Sequence, residues 1–402
     1  MEIIKCNNLL FSILMTSSTF LNVQSSPSRR DLKLRAVLQY LESNGFPETA
    51  LTFRKETDVD RLPEDAGILD VALDYYFSEQ FPGRQMHIDV PKPSGSHTRA
   101  LRASFPDCGF NPTCVCWTST DVLAVGFACK EIKFFTLNNG EIEQIGFVDT
   151  PSPVLSVSCD VESPLLVTCM GGEVCLIENM EIVSVSQPHG SSHVWGSVKG
   201  ELFFSFGRDG SLAVSNFESH KAGNPPLHIF RFLTKIGSAC WSNEGEIIVA
   251  LCGLSSLVVL EIQTSELVKG KETGTIHLNP SLKDFSSEMD PVFMTIKEDL
   301  ILVGFSGGTF RLYKKGSNCP IRNYYGFVSQ DLVRLAATFS SDGGYIYMCN
   351  TTDGEVFVME THSEQKALSF QAHQRGVRGI AQHPHKELIA TISFDQSLNI
   401  WE

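Results

Sequence analysis

One unit recurs along most of this chain: an apolar strand, a tight turn, and a second apolar strand beginning three residues after the turn's central position. Residues 123–127 turn at Cys129 into 132–135, and 165–169 turn at Gly171 into 174–177. The same pattern runs through 202–206, Asp209 and 212–214, then 247–251, Leu254 and 257–260. It continues with 300–305, Gly307 and 310–313, with 345–349, Asp353 and 356–359, and with 388–392, Asp395 and 398–401. The seven turn positions recur with a mean spacing of about 44 residues. Each interval leaves room for two more strands, most clearly at 142–147 followed by 154–159. Four short strands per repeat at this period is the pattern of a radial β-propeller. The expectation is therefore a mainly β fold with seven blades, in preference to six or eight.

Composition excludes several alternatives. Apolar residues make up 42% of the 402, enough for a large core and too many for a disordered chain. The net charge of −14 argues against nucleic acid or an anionic membrane as a direct partner, because phosphate affinity comes mainly from Lys and Arg. Most of the 12 cysteines, such as Cys159, Cys169, Cys175, Cys240, Cys252 and Cys349, stand singly inside apolar runs. They form no C-x-x-C pair or disulfide framework, so a reducing, cytoplasmic setting is expected, with the nucleus as a second possibility. No run approaches the ~20 apolar residues of a membrane helix. Lys5 followed by the run 9–15 has the outline of a secretion signal, but Ser12 interrupts it, so residues 1–30 are read as a disordered tail. The triplet Asn350-Thr351-Thr352 fits a glycosylation sequon of the kind that recurs by chance.

Ahead of the strands the period changes. Leu34, Val37, Leu38 and Leu41 fall on one face of a helix that Asp31 can cap and Asn44-Gly45 can end. Phe46-Pro47-Glu48 starts a second helix, whose apolar side continues through Ala50 and Phe53. A third helical pattern, Leu69, Ala72, Leu73 and Tyr76, stops at Phe81-Pro82-Gly83, giving a helical linker over 61–84. Two such short helices cannot bury their apolar faces alone. They either pair with a second copy or dock on the rest of the chain. Leu34, Val37, Leu38, Tyr40, Leu41, Gly45, Phe46, Thr49, Ala50, Phe53 and Glu56 together resemble the LisH motif. That resemblance implies a dimerisation element over 31–60 with Leu34, Val37, Leu38, Leu41, Gly45, Thr49, Ala50 and Phe53 as its core, and hence a homodimer.

The last repeat resembles a WD40 repeat, through Ala372-His373, Val377, Ala381, Pro384, the run 389–393, Asp395, Ser397-Leu398 and Ile400-Trp401-Glu402. By that resemblance His373, Ser393, Asp395 and Trp401 form a hydrogen-bonded tetrad, which would satisfy a buried carboxylate. Asp209 and Asp353 keep the turn acid elsewhere, while Asn216 and Glu360 stand where Trp is expected. The final unit holds three strands after residue 376, so a fourth must come from elsewhere. Residues 85–90 have strand-like alternation and are expected to complete that blade, placing the propeller at 85–402.

No reactive constellation emerges. His383-Pro384-His385 beside His373 reads as a turn, and Cys114-Val115-Cys116, with Cys108 and Cys129, as inner-strand packing, so no metal or cofactor is expected. There is no P-loop, paired dinucleotide glycines or Gly-x-Ser-x-Gly elbow, and no enzyme activity is expected. A propeller offers instead a rigid disc with loops on one face. The residues just before the turn positions, Ala128, Met170, Arg208, Gly253, Ser306, Thr352 and Phe394, are expected to point to that face. Arg208, Phe394, Met170 and the loop residue Arg375 are the expected partner-binding residues, Arg and aromatics being enriched at hot spots. The plan resembles lissencephaly-type regulators of dynein and nuclear migration, which implies a protein-binding adaptor in a microtubule-motor or ciliary setting. Ubiquitin-ligase substrate receptors and transcriptional corepressors share the pairing. The first would want an Arg beyond the Trp401-Glu402 pair, and the second a long Gln- or Pro-rich linker, neither of which this sequence shows. An exported propeller is the remaining alternative.

Overall fold

Apolar alternation along short strands is what the structure realises. The computed structural model describes residues 100–402 apart from 119–120, 161–162, 191–192, 253–255, 264–268, 278–289, 316–319 and 328–334, together with Leu51, Arg54 and Pro91. The chain divides into two units, Met1–Gln85 and Met86–Glu402. In the first, Leu51 and Arg54 are helical. The expected tail, the helical linker and the LisH core residues Leu34, Val37, Leu38, Leu41, Gly45, Thr49, Ala50 and Phe53 lie outside the described residues.

The second unit is seven four-stranded antiparallel sheets. After β1 (Leu101–Phe105), the first blade is β2 (Pro112–Trp117), β3 (Val122–Phe127), β4 (Glu131–Asn138) and β5 (Glu141–Asp149). The second is β6 (Val154–Ser158), β7 (Leu165–Cys169), β8 (Val174–Glu178) and β9 (Glu181–Ser186). The third is β10 (Val194–Lys199), β11 (Leu202–Gly207), β12 (Ser211–Asn216) and β13 (His228–Arg231), with a one-turn helix α1 (Phe217–Lys221) inserted before β13. The fourth is β14 (Ile236–Trp241), β15 (Ile247–Leu251), β16 (Ser256–Gln263) and β17 (Lys269–His277). The fifth is β18 (Pro291–Lys297), β19 (Leu300–Phe305), β20 (Thr309–Lys314) and β21 (Pro320–Tyr324). The sixth is β22 (Ala337–Phe339), β23 (Tyr345–Cys349), β24 (Glu355–Glu360) and β25 (Lys366–Gln371). The seventh is β26 (Val377–Gln382), β27 (Ile389–Ser393) and β28 (Leu398–Trp401), completed by β1.

The first strands of successive blades touch one another all the way round, from β2 through β6, β10, β14, β18 and β22 to β26 and back to β2. They therefore line the centre of a closed ring. The core lies between the blades, as seven apolar clusters with one at each blade boundary. The two-residue strand period distributes each strand over two of them. Leu123, Val125 and Phe127 of β3 face the seventh blade, while Ala124 faces the second. Indoles tie the inner strands together: Trp117 Nε1 donates to the Ala381 carbonyl (3.2 Å) and Trp241 Nε1 to that of Ser197 (3.1 Å).

The closing strand corrects one expectation. It is β1 that pairs antiparallel with β28, from Leu101 opposite Trp401 to Phe105 opposite Leu398. The edge that residues 85–90 were expected to fill is thus taken, and 85–90 lie outside the described residues. The physical reason is burial and reach: Ala103 and Phe105 enter the cluster shared by the seventh and first blades, and a short loop, 106–111, leads directly to β2. Ala103→Asp would put an unpaired charge in that cluster and should cost about 3 kcal/mol of unfolding free energy in urea. Arg102→Ala, on the exposed side of the same strand, should change it by under about 0.5 kcal/mol.

Candidate functional site

In each blade the second and third strands meet, and the fourth hands over to the next blade, at the same end. The turns between second and third strands and the blade-to-blade loops therefore share one face of the ring. This face carries the polar signature of the last repeat. The Ser397 hydroxyl donates to Asp395 Oδ1 (2.6 Å), so its oxygen accepts from His373 Nδ1 (2.7 Å). His373 Nε2 is then the acceptor for the Thr391 hydroxyl (2.8 Å), whose oxygen takes the Trp401 indole N–H (2.9 Å). Backbone N–H groups of Gln374 and Ser397 bind the two Asp395 oxygens. Burial alone would raise the Asp395 carboxyl, but hydrogen bonds from His373, Ser397 and the two backbone groups outweigh it and hold the group below the ordinary carboxylate range.

Of the four residues the resemblance named, His373, Asp395 and Trp401 are joined by this chain of bonds. Ser393 is not in it. Its hydroxyl donates instead to the Arg375 carbonyl (2.9 Å) and accepts the Asp395 N–H (3.2 Å). The relay hydroxyl is Thr391, because strand alternation puts 391, two residues back along β27, opposite Asn399 and within reach of the ring of His373.

A second relay, which the sequence reading missed, sits in the third blade. His189 Nδ1 meets the Ser211 hydroxyl (2.7 Å) and Nε2 the Ser205 hydroxyl (2.8 Å), while Ser211 donates to Asp209 (2.7 Å). The Gly190 N–H binds Asp209, as the Gln374 N–H binds Asp395. The indole is absent: Ser215 lies opposite Phe203 as Trp401 lies opposite Ile389, so Ser215 rather than Asn216 occupies the Trp position. The same step from the turn acid puts Met359, not Glu360, there in the sixth blade. In that blade Asp353 is bound locally, by Asn350 Nδ2 (2.8 Å) and the Glu355 N–H (3.2 Å). The signal for the second relay was present, as His189-Gly190 upstream of Asp209-Gly210-Ser211 parallels His373-Gln374 upstream of Asp395-Gln396-Ser397.

These His–Ser–Asp chains are structural. Ser205, Ser211, Thr391 and both histidines are buried, and the hydroxyls of these residues and of the half-buried Ser397 are engaged within the relays. The expected turn at His383-Pro384-His385 is present: His383 Nδ1 accepts the N–H groups of His385 and Lys386, and its ring packs on Trp117. Cys114 and Cys116 lie on β2 against the cluster between the first two blades. Among the described residues no group of three or more His, Cys, Asp and Glu side chains is placed to hold a metal ion, and no helix is long and apolar enough to cross a membrane.

The loop face carries most of the residues expected to bind a partner. Met170, Arg208, Ser306 and Thr352 are exposed on their turns, Ala128 and Phe394 are half-buried, and Gly253 lies outside the described residues. Arg375 is exposed in the loop after His373. Three exposed apolar side chains that the turn rule could not find join them from blade-to-blade loops: Phe110, Leu233 and Tyr325, of which Leu233 is fully exposed. Arg208 lies over the ring of Trp195 (5.9 Å), and Phe394 lies under Arg378 (4.5 Å).

Comparison with known proteins agrees with this architecture. The family model described as PAC1 LisH domain matches residues 35–61. The WD domain, G-beta repeat model matches residues 364–402. No curated protein matches the chain significantly. Among solved structures the chain is similar to the WD40 β-propeller domain of Doa1, with a TM-score of 0.61 at 12% identity over 76% of this chain and 97% of that one. The chain therefore combines a LisH motif with a seven-bladed WD40-type β-propeller, the modules of a protein-interaction scaffold.

Two predictions follow the relays. Thr391→Val keeps the shape but strands the indole and imidazole nitrogens, and should cost about 2 kcal/mol by denaturant unfolding, more than Ser393→Ala. Burial pushes His189 down from 6.5 to about 4. The unfolded chain then binds the proton that the fold excludes. Its contribution is complete above pH 6.5 and falls away as pH drops toward 4, by at most roughly 3 kcal/mol. The depressed Asp395 adds a loss at still lower pH. An unfolding free energy that stays flat from pH 7 to pH 4 would contradict this.

Proposed function

We propose that this chain is a non-catalytic adaptor that dimerises through its LisH segment and captures protein partners on the loop face of its propeller. The observation that carries the reading is the combination of arginines with exposed apolar side chains in the loops of that face: Met170, Arg208 and Arg375 are joined there by Phe110, Leu233 and Tyr325, whereas the exposed apolar side chains of the outer strands, such as Ile145 and Phe147 on β5 and Val183 and Val185 on β9, stand on the rim. Large exposed apolar side chains beside arginines are the composition of a partner surface. The ten described cysteines are all free thiols, which supports a reducing compartment, the cytoplasm or nucleus. Of the settings this pairing of modules serves, microtubule-motor or ciliary regulation is the one its overall plan favours. The ubiquitin-ligase and corepressor readings remain its competitors.

Reversing charge with Arg208→Glu and Arg375→Glu together should remove partner capture in affinity purification while leaving the unfolding midpoint unchanged, since both side chains project from turns or loops. Capture identical to the parent chain would sink the assignment of the face. Dimerisation is checked separately: light scattering should give about twice 44.4 kDa for the full chain and about 44.4 kDa for Leu38→Asp.

A further inference from the structure

The two cation–aromatic pairs on the loop face occupy the same two positions in different blades, with the partners exchanged. In the third blade the turn residue is the cation, Arg208, and the ring is Trp195, second residue of the innermost strand β10. In the seventh blade the turn residue is the ring, Phe394, and the cation is Arg378, second residue of β26. Arg378 is also where the register of β26 shifts, between Val377 and Gly379, so it is the extra residue of a β-bulge. Bulges re-aim a side chain out of strand alternation. Both pairs thus stand at the loop-face end of the inner strands, at the mouth of the central channel.

Each guanidinium lies against a ring. Neither Arg208 nor Arg378 forms a hydrogen bond or an ion pair with any described residue. The acids of the two turns, Asp209 and Asp395, are engaged through Ser211 and Gly190, and through Ser397 and Gln374. Arg378 is half-buried, and burial weakens its hold on the proton, an effect the Cys114 thiol on β2 partly opposes. A desolvated cation is ordinarily paired, and a ring face offsets only part of its desolvation. Both guanidinium edges can therefore take an acceptor from a partner.

We propose that the channel mouth reads carboxylates: Asp or Glu side chains of a short acidic segment on the protein partner, one received by Arg378 and one by Arg208. This rests on the loop face being the partner surface. A ring-stacked guanidinium presents its N–H edge in the planar fork that a carboxylate matches with two parallel bonds. One cation per pair suits a singly charged carboxylate, whereas phosphoryl groups are typically met by arginine clusters. The net charge of −14 over the whole chain disfavours a long polyanion, so the proposed segment is short.

The test uses the full-length chain and three short labelled peptides capped at both ends: one with spaced Glu and Asp, its Gln and Asn isostere, and a version with phosphoserine in place of the acids. Binding is read by fluorescence anisotropy. The acidic peptide should bind saturably, and its isostere about tenfold or more weakly. Arg378→Gln and Arg208→Gln should each weaken the acidic peptide by about tenfold. If Arg378→Gln, on an inner strand, lowers the unfolding midpoint, Arg208→Gln on its exposed turn decides. Equal affinity for acidic peptide and isostere, no loss in the arginine variants, or a clear preference for phosphoserine would overturn the proposal. Should the charge-reversed Arg208 and Arg375 variant still lose its captured partner while no acidic peptide binds, the face assignment stands and the carboxylate chemistry alone fails.

Discussion

Everything in this structure depends on closing the ring. No blade has a core of its own, because each four-stranded sheet is one layer thick and buries its faces only against the next blade. The seven boundary clusters exist together or not at all. The vulnerable boundary lies between the last blade and the first, where β28 would otherwise present an unpaired edge and the chain must return to its beginning. Antiparallel pairing of β1 with β28 satisfies that edge. Ala103 and Phe105 fill the same cluster that receives Leu398 and Ile400 from one side and Leu123 and Phe127 from the other. Hydrogen bonding and apolar burial thus coincide where the ring is joined.

Closure also explains why the repeats can differ so much. A buried His–hydroxyl–Asp relay fixes the turn between second and third strands, and it is present in full in the seventh blade and without its indole in the third. The sixth blade holds its turn acid with Asn350 instead. Where the polar lock is reduced, the blade is still clamped on both faces, and apolar residues of the right size suffice. A further device recurs across blades: Lys133 over Phe127 in the first and Arg311 over Phe305 in the fifth are equivalent positions of the repeat. The ring therefore preserves volume and alternation more strictly than any signature residue.

A rigid closed ring leaves its loops free to carry recognition. The arginine–aromatic pairs at the channel mouth differ from those within the blades. They stand at the ends of strands, one of them on a bulge, and their guanidinium edges are uncommitted. The aromatic partner fixes the plane of the cation at little entropic cost, which is what a recognition site needs before a partner arrives. The LisH segment would present two such faces on one particle, raising the effective concentration of the second for a partner bearing two matching segments.

Period and alternation carried the fold into the linear sequence. Turn positions at a regular spacing, with apolar residues on both sides, demand stacked sheets whatever the details, so the seven blades and their strands were legible from residues such as Leu165 to Cys169 alone. Choices among equivalent candidates were not legible. Residues 85–90 and 101–105 both alternate, and only the reach from β28 to β2 and the space for Ala103 and Phe105 select the second. Ser393 and Thr391 both bear a hydroxyl on β27, and only the position of the His373 ring selects Thr391. The link between Phe394 and Arg378, like that between Arg208 and Trp195, joins a turn residue to the innermost strand of its blade. Contacts of that kind arise from where the backbone places side chains in three dimensions, information that a local pattern of residue types does not contain.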